Sequence, residues 1–118
     1  MSSAEFTTAL EWGGRPVARS IADALPRARI VVRGEIVEVG RDTLGTTPTY
    51  RCRLDDGSGQ VILLFVGRTS IPGLLTGTRC TVEGTARAEG PLLVVWNPLY
   101  RIDEPARRDP EPQLTSPE

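Results

Sequence analysis

The chain has 118 residues, with 14 arginines, no lysine and no histidine, and its 15 acidic residues leave a formal net charge of −1. Its length suits one small domain, and a composition of 39% hydrophobic and 25% charged residues is typical of a folded globular protein. Histidine is the most common general base and metal ligand, and no apolar run reaches the roughly 18 residues of a spanning helix, so we expect no metal, no cofactor and no membrane insertion.

The first predicted element is a short helix over residues 16–25. Pro16 suits the first turn of a helix, where its missing N–H costs nothing. Val17, Ile21 and Leu25 recur at helical spacing and fall on one face. This pattern predicts a helix that packs its apolar face on the body of the protein.

The first long strand is predicted from Ala28 to Val39. Ile30, Val32 and Ile36 share one parity, whereas Val37 and Val39 have the other. A switch near Gly34 predicts a bulge or sharp coil, which allows one strand to serve two sheets of a small barrel. Residues 40–48 are predicted as a loop.

Residues 49–66 predict a hairpin, which is the clearest local pattern in the chain. A segment of alternating character, 49–54, leads into the turn Asp55-Asp56-Gly57-Ser58-Gly59, and a β-branched apolar run, 61–66, leaves it. Asp-Gly is a strong hairpin pattern because glycine accepts the positive φ that tight turns require. The two runs therefore predict antiparallel strands joined by a short loop.

The remaining pattern is a connector, two further strands and a tail. The connector, 68–77, has Pro72-Gly73 at its centre, which supports one helical turn at most. From Asp103 onward, five acidic residues and four prolines predict a disordered tail. The segments between connector and tail are a strand over 78–87, a turn over 89–91, a strand over 92–96 and a short trailing run over 100–102.

Charge and composition divide the chain into three parts. We predict a flexible N-terminus over 1–14 with a charge of −2, a folded domain over 15–102, and the disordered acidic tail over 103–118. Residues 15–101 carry 12 arginines against 8 acidic residues, a charge of +4. A mildly basic body with acidic ends is compatible with nucleic-acid binding.

The cysteines and the N-terminus bear on the compartment. Cys52 and Cys80 lie in strand-like segments without Cys-x-x-Cys spacing, so we expect buried free thiols. The N-terminus lacks the basic-then-apolar pattern of a signal peptide. We therefore expect a cytoplasmic protein.

Five strands with a connector between the third and fourth predict an all-β fold, the five-stranded Greek-key barrel called the OB-fold. The connector is short, so we expect the helix over 16–25, placed before strand one, to close the barrel instead. The stretches LDDGSGQVILLF, IPGLLTGTRCTVEG and LLVVWNPLYRI resemble nucleic-acid-binding OB domains over residues 28–102.

The resemblance extends to two groups within that family. The segment Pro98-Leu99-Tyr100-Arg101 is similar to the Pro-x-Tyr-Arg end of the wedge domain of the RecG branch-migration helicase. Small free-standing OB-fold proteins of actinobacterial type are similar as well. No Gly-x-x-x-x-Gly-Lys-Ser/Thr is present, so the resemblance includes no helicase motor.

The usual ligand surface of an OB-fold is the outer face of its second and third strands. Alternation predicts that Arg51 and Arg53 point outward beside Arg33 of the first strand. Three guanidinium groups on one face can pair with phosphates and stack on bases. The alternative is a solvated polar face whose arginines are balanced by Glu35 and Glu38.

Apolar and aromatic candidates complete the predicted surface. The third strand is apolar on both parities, so an outward stripe of Ile62 and Leu64 is expected to contact bases, another protein or the N-terminal segment. Trp96 and Tyr100 are candidate stacking platforms, with packing at the barrel end as the alternative. Arg68 is placed on the same binding surface.

Catalysis is not predicted, because adjacent aspartates at a hairpin tip are typical turn formers and no histidine can activate Ser58. The sequence predicts weak, sequence-independent binding of nucleic acid, DNA rather than RNA, in single-stranded or junction form, as an accessory to DNA repair or recombination. A larger repair or recombination protein is a further expected partner. The alternative is a protein-interaction module that uses the Ile62/Leu64 stripe or adds a strand at a barrel edge.

Overall fold

A computed structural model of the protein describes residues 5–107. This part of the chain is nearly all β, with eight strands and one turn of 3-10 helix at Ile21–Asp23. The strands are β1 (Glu11–Trp12), β2 (Arg15–Ala18), β3 (Arg29–Leu44), β4 (Thr47–Asp55), β5 (Gln60–Val66), β6 (Arg79–Glu89), β7 (Leu92–Trp96) and β8 (Leu99–Glu104).

Five of these strands form a closed ring of hydrogen-bonded neighbours in the order β3–β4–β5–β7–β6 and back to β3. Every pairing in the ring is antiparallel except that of β5 with β7, which is parallel. This is the strand order expected of the predicted five-stranded OB-like fold. The other strands add to its outside: β1 and β2 on the β3 side, and β8 on β6.

β3 is long enough to serve both sides of the ring. Its first half pairs with β6 and its second half with β4, and a bulge between Ile36 and Glu38 separates their registers. The predicted parity switch is therefore present, although it falls slightly after Gly34. Gly34 itself lies where the end of β4 crosses β3, and a Cβ built on it would stand 2.5 Å from the Asp55 carbonyl oxygen. Only glycine permits this close approach without a backbone shift.

The predicted loop over 40–48 is wrong, because β3 and β4 continue to pair until Leu44 faces Thr47. The connection is a two-residue turn in which Gly45 has a φ of 65°. A positive φ is what a two-residue hairpin turn requires, so the glycine allows the strands to extend to the turn.

The predicted helix over 16–25 is also not found, since β2 and a single 3-10 turn occupy this segment. β2 pairs in parallel with β3, and the Ile21 N–H donates to the Asp56 carboxylate at 2.8 Å. Leu25, expected on the buried face, is 68% exposed. Strand pairing and a side-chain acceptor at the β4–β5 turn satisfy this backbone, and they override the weak local helical spacing.

The connector between β5 and β6 contributes the apolar side chains that the helix was expected to supply. Ile71 and Leu74 are buried in the core, and the Tyr50 hydroxyl donates to the Leu74 carbonyl at 2.6 Å. Burial raises the pKa of Tyr50, which keeps this hydroxyl protonated as a donor. Ile21 of the 3-10 turn belongs to the same core and lies beside Gly59 of the β4–β5 turn.

The predicted inward alternation of β4 is confirmed, because Tyr50, Cys52 and Leu54 all belong to the core. Cys52 and Cys80 are free and buried, as expected. Burial raises the pKa of each thiol to about 12, so both are protonated and unreactive at neutral pH.

β8 carries the ordered chain to Glu104, so Asp103 and Glu104 are strand residues at the predicted start of the tail. Residues 1–4 of the predicted N-terminus and 108–118 of the predicted tail lie outside the described residues. Between residues 5 and 107, no helix has the length and apolar character to cross a membrane.

Candidate nucleic-acid interface

The outside of the strand ring has two contrasting surfaces. The covered wall consists of Glu83 of β6 and Arg29 of β3, together with the residues of the N-terminal segment that contact them. The open wall consists of the outward residues of β4, β5 and β7, with Arg51, Arg53 and Leu64 among them. Both follow from strand alternation, which points every second side chain away from the core.

Glu83 is the central residue of the covered wall, where it points outward from β6 and yet is 1% exposed. Thr7 covers it: the Thr7 N–H donates to Oε1 at 2.7 Å and its hydroxyl to Oε2 at 2.5 Å. Arg29 Nε donates to Oε2 at 2.8 Å. Burial raises the pKa of Glu83, but the bonds from Thr7 and Arg29 outweigh it and hold the pKa below its ordinary value.

Further contacts attach the N-terminal segment to this wall. The Arg29 guanidinium lies over the Trp12 ring at 4.6 Å, and Arg101 of β8 lies over the Phe6 ring at 5.1 Å. Arg19 donates to the carbonyls of residues 7 and 9, at 2.9 Å each. Residues 6–19 of the chain therefore occupy the covered wall.

The open wall is built from two rows of residues that face one another across the strands. In the first row Arg53 faces Ile62, Ile62 faces Val94, and Val94 faces Arg87 of β6. In the second row Arg51 faces Leu64, and Leu64 faces Trp96. An apolar and aromatic strip is thus flanked by guanidinium groups.

Arg51 and Arg53 each have an acidic neighbour on β3. Arg53 Nε donates to Glu38 Oε1 at 2.9 Å, and Arg51 Nε lies 2.9 Å from Asp42 Oδ2 without hydrogen-bond geometry. Part of the balanced-face alternative is therefore present, with Asp42 in addition to Glu38. The arginine side chains are 29% and 31% exposed and the carboxylates about half exposed. Pairs at the surface contribute about 0–1 kcal/mol each, so the guanidinium groups can exchange partners at little cost.

Arg33 does not join the other two predicted arginines. It faces Thr81 of β6, and its Nε lies 3.5 Å from Asp103 of β8. Glu38, the partner of Arg53, lies five positions further along β3, a distance of roughly 16 Å at the rise of a strand. The side chain is 64% exposed, but it belongs to the β6–β8 side of the molecule.

The expected exposed stripe of Ile62 and Leu64 is only partly present. Ile62 is 4% exposed, so this part of the prediction is wrong, whereas Leu64 is half-buried. Ile62 faces Val94, which is also buried, and outward side chains on neighbouring strands bury each other in such pairs. Leu64 remains the accessible apolar side chain of the pair.

The two predicted aromatic platforms have different positions. The indole N–H of Trp96 donates to Glu89 Oε2 at 2.9 Å, which fixes a half-buried ring on the open wall. Tyr100 instead packs edge-on against Phe65, with centroids 5.8 Å apart, and contributes to the core. Arg68 is exposed in the connector directly after β5, next to Thr69, whose carbonyl accepts from Arg41.

Arg27 and Arg87 were not singled out from the sequence. The alternation of β6 and the turn at Gly90 could have placed Arg87 outward and opposite Val94. No local pattern indicates Arg27, which has a φ of 72° and is held by its N–H donating to the Ala86 carbonyl at 2.6 Å.

The carboxylates of Asp55 and Asp56 are engaged by the turn they form. Asp55 accepts the Gly57 N–H at 2.7 Å, and Asp56 accepts those of Ser58 and Ile21, each at 2.8 Å. Hydrogen bonds from Gln60 and Gly57 lower the pKa of Asp55. Within the part of the chain that the structure describes, no group of three or more metal-ligating side chains is found.

The comparisons with known proteins concern the fold. No family model and no curated protein matches the sequence. A solved structure of RecG bound to a three-way DNA junction is similar over 78% of this chain and 14% of the RecG chain, with a TM-score of 0.58 and 20% identity. The structure of yeast Stn1 and Ten1 is similar over 64% of this chain and 43% of the other, with a TM-score of 0.52 and 14% identity. The chain thus has an OB-like fold and spans a small part of RecG.

Proposed function

We propose that the protein binds nucleic acid, in single-stranded or junction form, through the open wall. The observation that carries this proposal is the pair of cross-strand rows in which Arg51 and Arg53 flank Leu64 and Trp96. Guanidinium groups pair with backbone phosphates, and apolar and aromatic side chains contact the faces of bases. One surface therefore offers both kinds of group that a nucleic-acid strand presents.

Two observations support this assignment. The solved RecG structure with a similar fold holds a three-way DNA junction, which favours DNA as the ligand class. The ion pairs of Arg51 and Arg53 are weak, so a phosphate can displace Asp42 and Glu38, although these carboxylates compete with it. With about three phosphate contacts we expect a slope of log affinity against log salt near −2, which describes weak, sequence-independent binding.

The proposal contains no catalytic step, because backbone amides occupy the carboxylates of Asp55 and Asp56. We infer an accessory protein of DNA repair or recombination, located in the cytoplasm. The alternative, a protein-interaction module, has lost part of its basis. Ile62 is buried, so the remaining routes are Leu64 and the outer edges of β1 and β8.

A titration by fluorescence anisotropy tests the proposal, with a labelled single strand of about 12 nucleotides and a labelled three-way junction. Arg51→Gln/Arg53→Gln is expected to weaken binding about tenfold and to make the salt slope about 1.4 units shallower, because two phosphate contacts are lost. Glu38→Gln is expected to strengthen binding, since it removes the carboxylate that competes for Arg53.

Arg79→Gln is the matched control. Arg79 is also exposed and ion-paired, to Glu35 and Glu104, but it lies on the other side of the ring. Equal losses in Arg79→Gln and in the double variant would contradict an open-wall site. No binding by the unmodified protein at tens of micromolar in low salt would contradict nucleic-acid binding itself.

A further inference from the structure

A cleft adjoins the open wall at β6 and shares Trp96 and Arg87 with it. It has a volume of about 650 Å³ and lies between the outer side of β6, the segment before β3 and the turn after β7. Its lining includes Arg27, Arg29, Arg87, Glu83 and Trp96. Three arginines against one glutamate give the lining a net charge of +2.

The electrostatic state of these arginines differs. Arg29 is neutralised by Glu83, which in turn is fully occupied by Arg29 and Thr7. Arg27 and Arg87 are exposed, and neither forms an ion pair with any residue from 5 to 107. The cleft therefore presents two guanidinium groups available to an anion.

The backbone at Arg27 is an independent observation. A φ of 72° is uncommon for a residue other than glycine, and such strain is often associated with functional positions. The Arg27 N–H is bonded to the Ala86 carbonyl, and the Ala86 N–H to the Ala28 carbonyl, which fixes Arg27 beside the strand that carries Arg87.

The cleft is continuous with the open wall. Arg87 faces Val94 in the same row as Ile62 and Arg53, and three spacings between strands separate its backbone from that of Arg53, roughly 14 Å. Trp96 belongs to both surfaces, since it faces Leu64 on the open wall and lines the cleft. Its indole N–H is bonded to Glu89, and its strand, β7, lies between β5 and β6.

We propose that a nucleic-acid strand bound to the open wall continues over Trp96 into this cleft, where Arg27 and Arg87 bind a backbone phosphate and the Trp96 ring contacts the adjoining base. This inference rests on the proposed function, because it extends the same strand across β7 onto β6. It assigns to the protein a longer binding path than the outer face of β4 and β5 alone.

The test uses Arg27→Gly/Arg87→Gln in the full chain. Glycine accepts the positive φ at residue 27, so this variant removes both charges and keeps the backbone, and its urea midpoint is expected not to fall. We expect about tenfold weaker binding of the labelled strand and a salt slope about 0.7 units shallower, because one phosphate contact is lost. Arg15→Gln, an exposed arginine outside the cleft, is the control and is expected to bind normally.

Trp96 fluorescence supplies a second measurement, in a Trp12→Phe background that leaves Trp96 as the single tryptophan. The oligonucleotide is expected to quench it in the parent and much less in Arg27→Gly/Arg87→Gln. If the parent binds the strand while the double variant binds equally well, the cleft assignment is overturned and the open-wall site stands. A free mononucleotide that quenches Trp96 with the same affinity as the strand would also overturn the assignment, in favour of a nucleotide pocket. If the parent protein binds no strand at all, the proposed function itself is contradicted.

Discussion

The covered wall and the open wall are built by the same strand alternation, but they differ in how far their charged side chains are buried. On the covered wall a buried glutamate is satisfied by Thr7 and Arg29, at sequence separations of 76 and 54 residues. On the open wall Arg51 and Arg53 pair with acids on the adjacent strand and keep contact with solvent. The N-terminal segment makes the difference, because it completes one wall and leaves the other uncovered.

Charged side chains therefore have different energetic roles on the two walls. A buried carboxylate contributes to stability only while all its partners are present, since an unpaired buried charge is costly. An exposed ion pair contributes little and can be exchanged for an external ion at small cost. We therefore expect substitutions on the covered wall to change stability and those on the open wall to change binding.

The largest expected effect is that of Glu83→Ala. It leaves the Arg29 guanidinium without its partner and releases Thr7, so we expect a loss of about 3 kcal/mol in the free energy of unfolding. The measurement is urea denaturation followed by circular dichroism. Glu38→Ala, its counterpart on the open wall, is expected to cost less than about 1 kcal/mol. Equal losses of stability in the two variants would contradict the difference between the walls.

Acid is the second way to separate the walls. Because the pKa of Glu83 in the folded state lies below its ordinary value of 4.5, its contribution to stability is complete above pH 4.5 and is lost as pH falls through the folded-state pKa. Urea midpoints measured between about pH 7 and pH 3 should fall at the acid end in the parent protein. In Glu83→Gln the urea midpoint should fall less steeply with acid. The same pH profile in this variant as in the parent would contradict a stabilising role for the Glu83 carboxylate.

Removal of the Thr7 hydroxyl is expected to have a smaller effect. Thr7→Val deletes one of the two hydrogen bonds that Thr7 donates to Glu83 and leaves the one from the backbone N–H in place. We therefore expect a loss of about 1 kcal/mol in the free energy of unfolding. Thr8→Val is the control, because Thr8 is exposed. A Thr7→Val variant as stable as this control would show that residues 6–19 contribute little to the covered wall.

The smallest expected effect on stability is that of Arg53→Gln, at less than about 1 kcal/mol. The same substitution should nevertheless weaken binding of a single-stranded oligonucleotide severalfold, because it removes one phosphate contact. Thermal melting measures the stability and fluorescence anisotropy measures the affinity of the same sample. A variant that loses stability and retains affinity would reverse the roles given to the walls.

Local patterns were sufficient to predict the five strands of the ring, and their order followed from the OB-fold assignment. The turn residues Asp56 and Gly57 and the inward series Tyr50, Cys52 and Leu54 depend on neighbours in sequence, and these predictions are confirmed. The prediction of a helix over 16–25 failed because the backbone of this segment pairs with β3 and Asp56, which are remote in sequence. Local spacing carries no information about such partners.

The candidate surface was predicted less completely for the same reason. Alternation correctly separated Arg51 and Arg53 from the core, but the distance of Arg33 from them depends on the bulge and on β8. Burial of Ile62 depends on which strand lies beside β5, namely β7. Arg27 is positioned by a single backbone bond to β6, which no pattern around it indicates.

The most direct test of the open-wall site is an NMR titration of the isotope-labelled protein with a single strand of about 12 nucleotides, observed in amide correlation spectra. Shifts are expected at Arg51, Arg53, Leu64 and the indole N–H of Trp96, with Thr7 and Ala9 of the N-terminal segment unchanged. Shifts concentrated on the N-terminal segment, with the open wall unperturbed, would contradict the assignment.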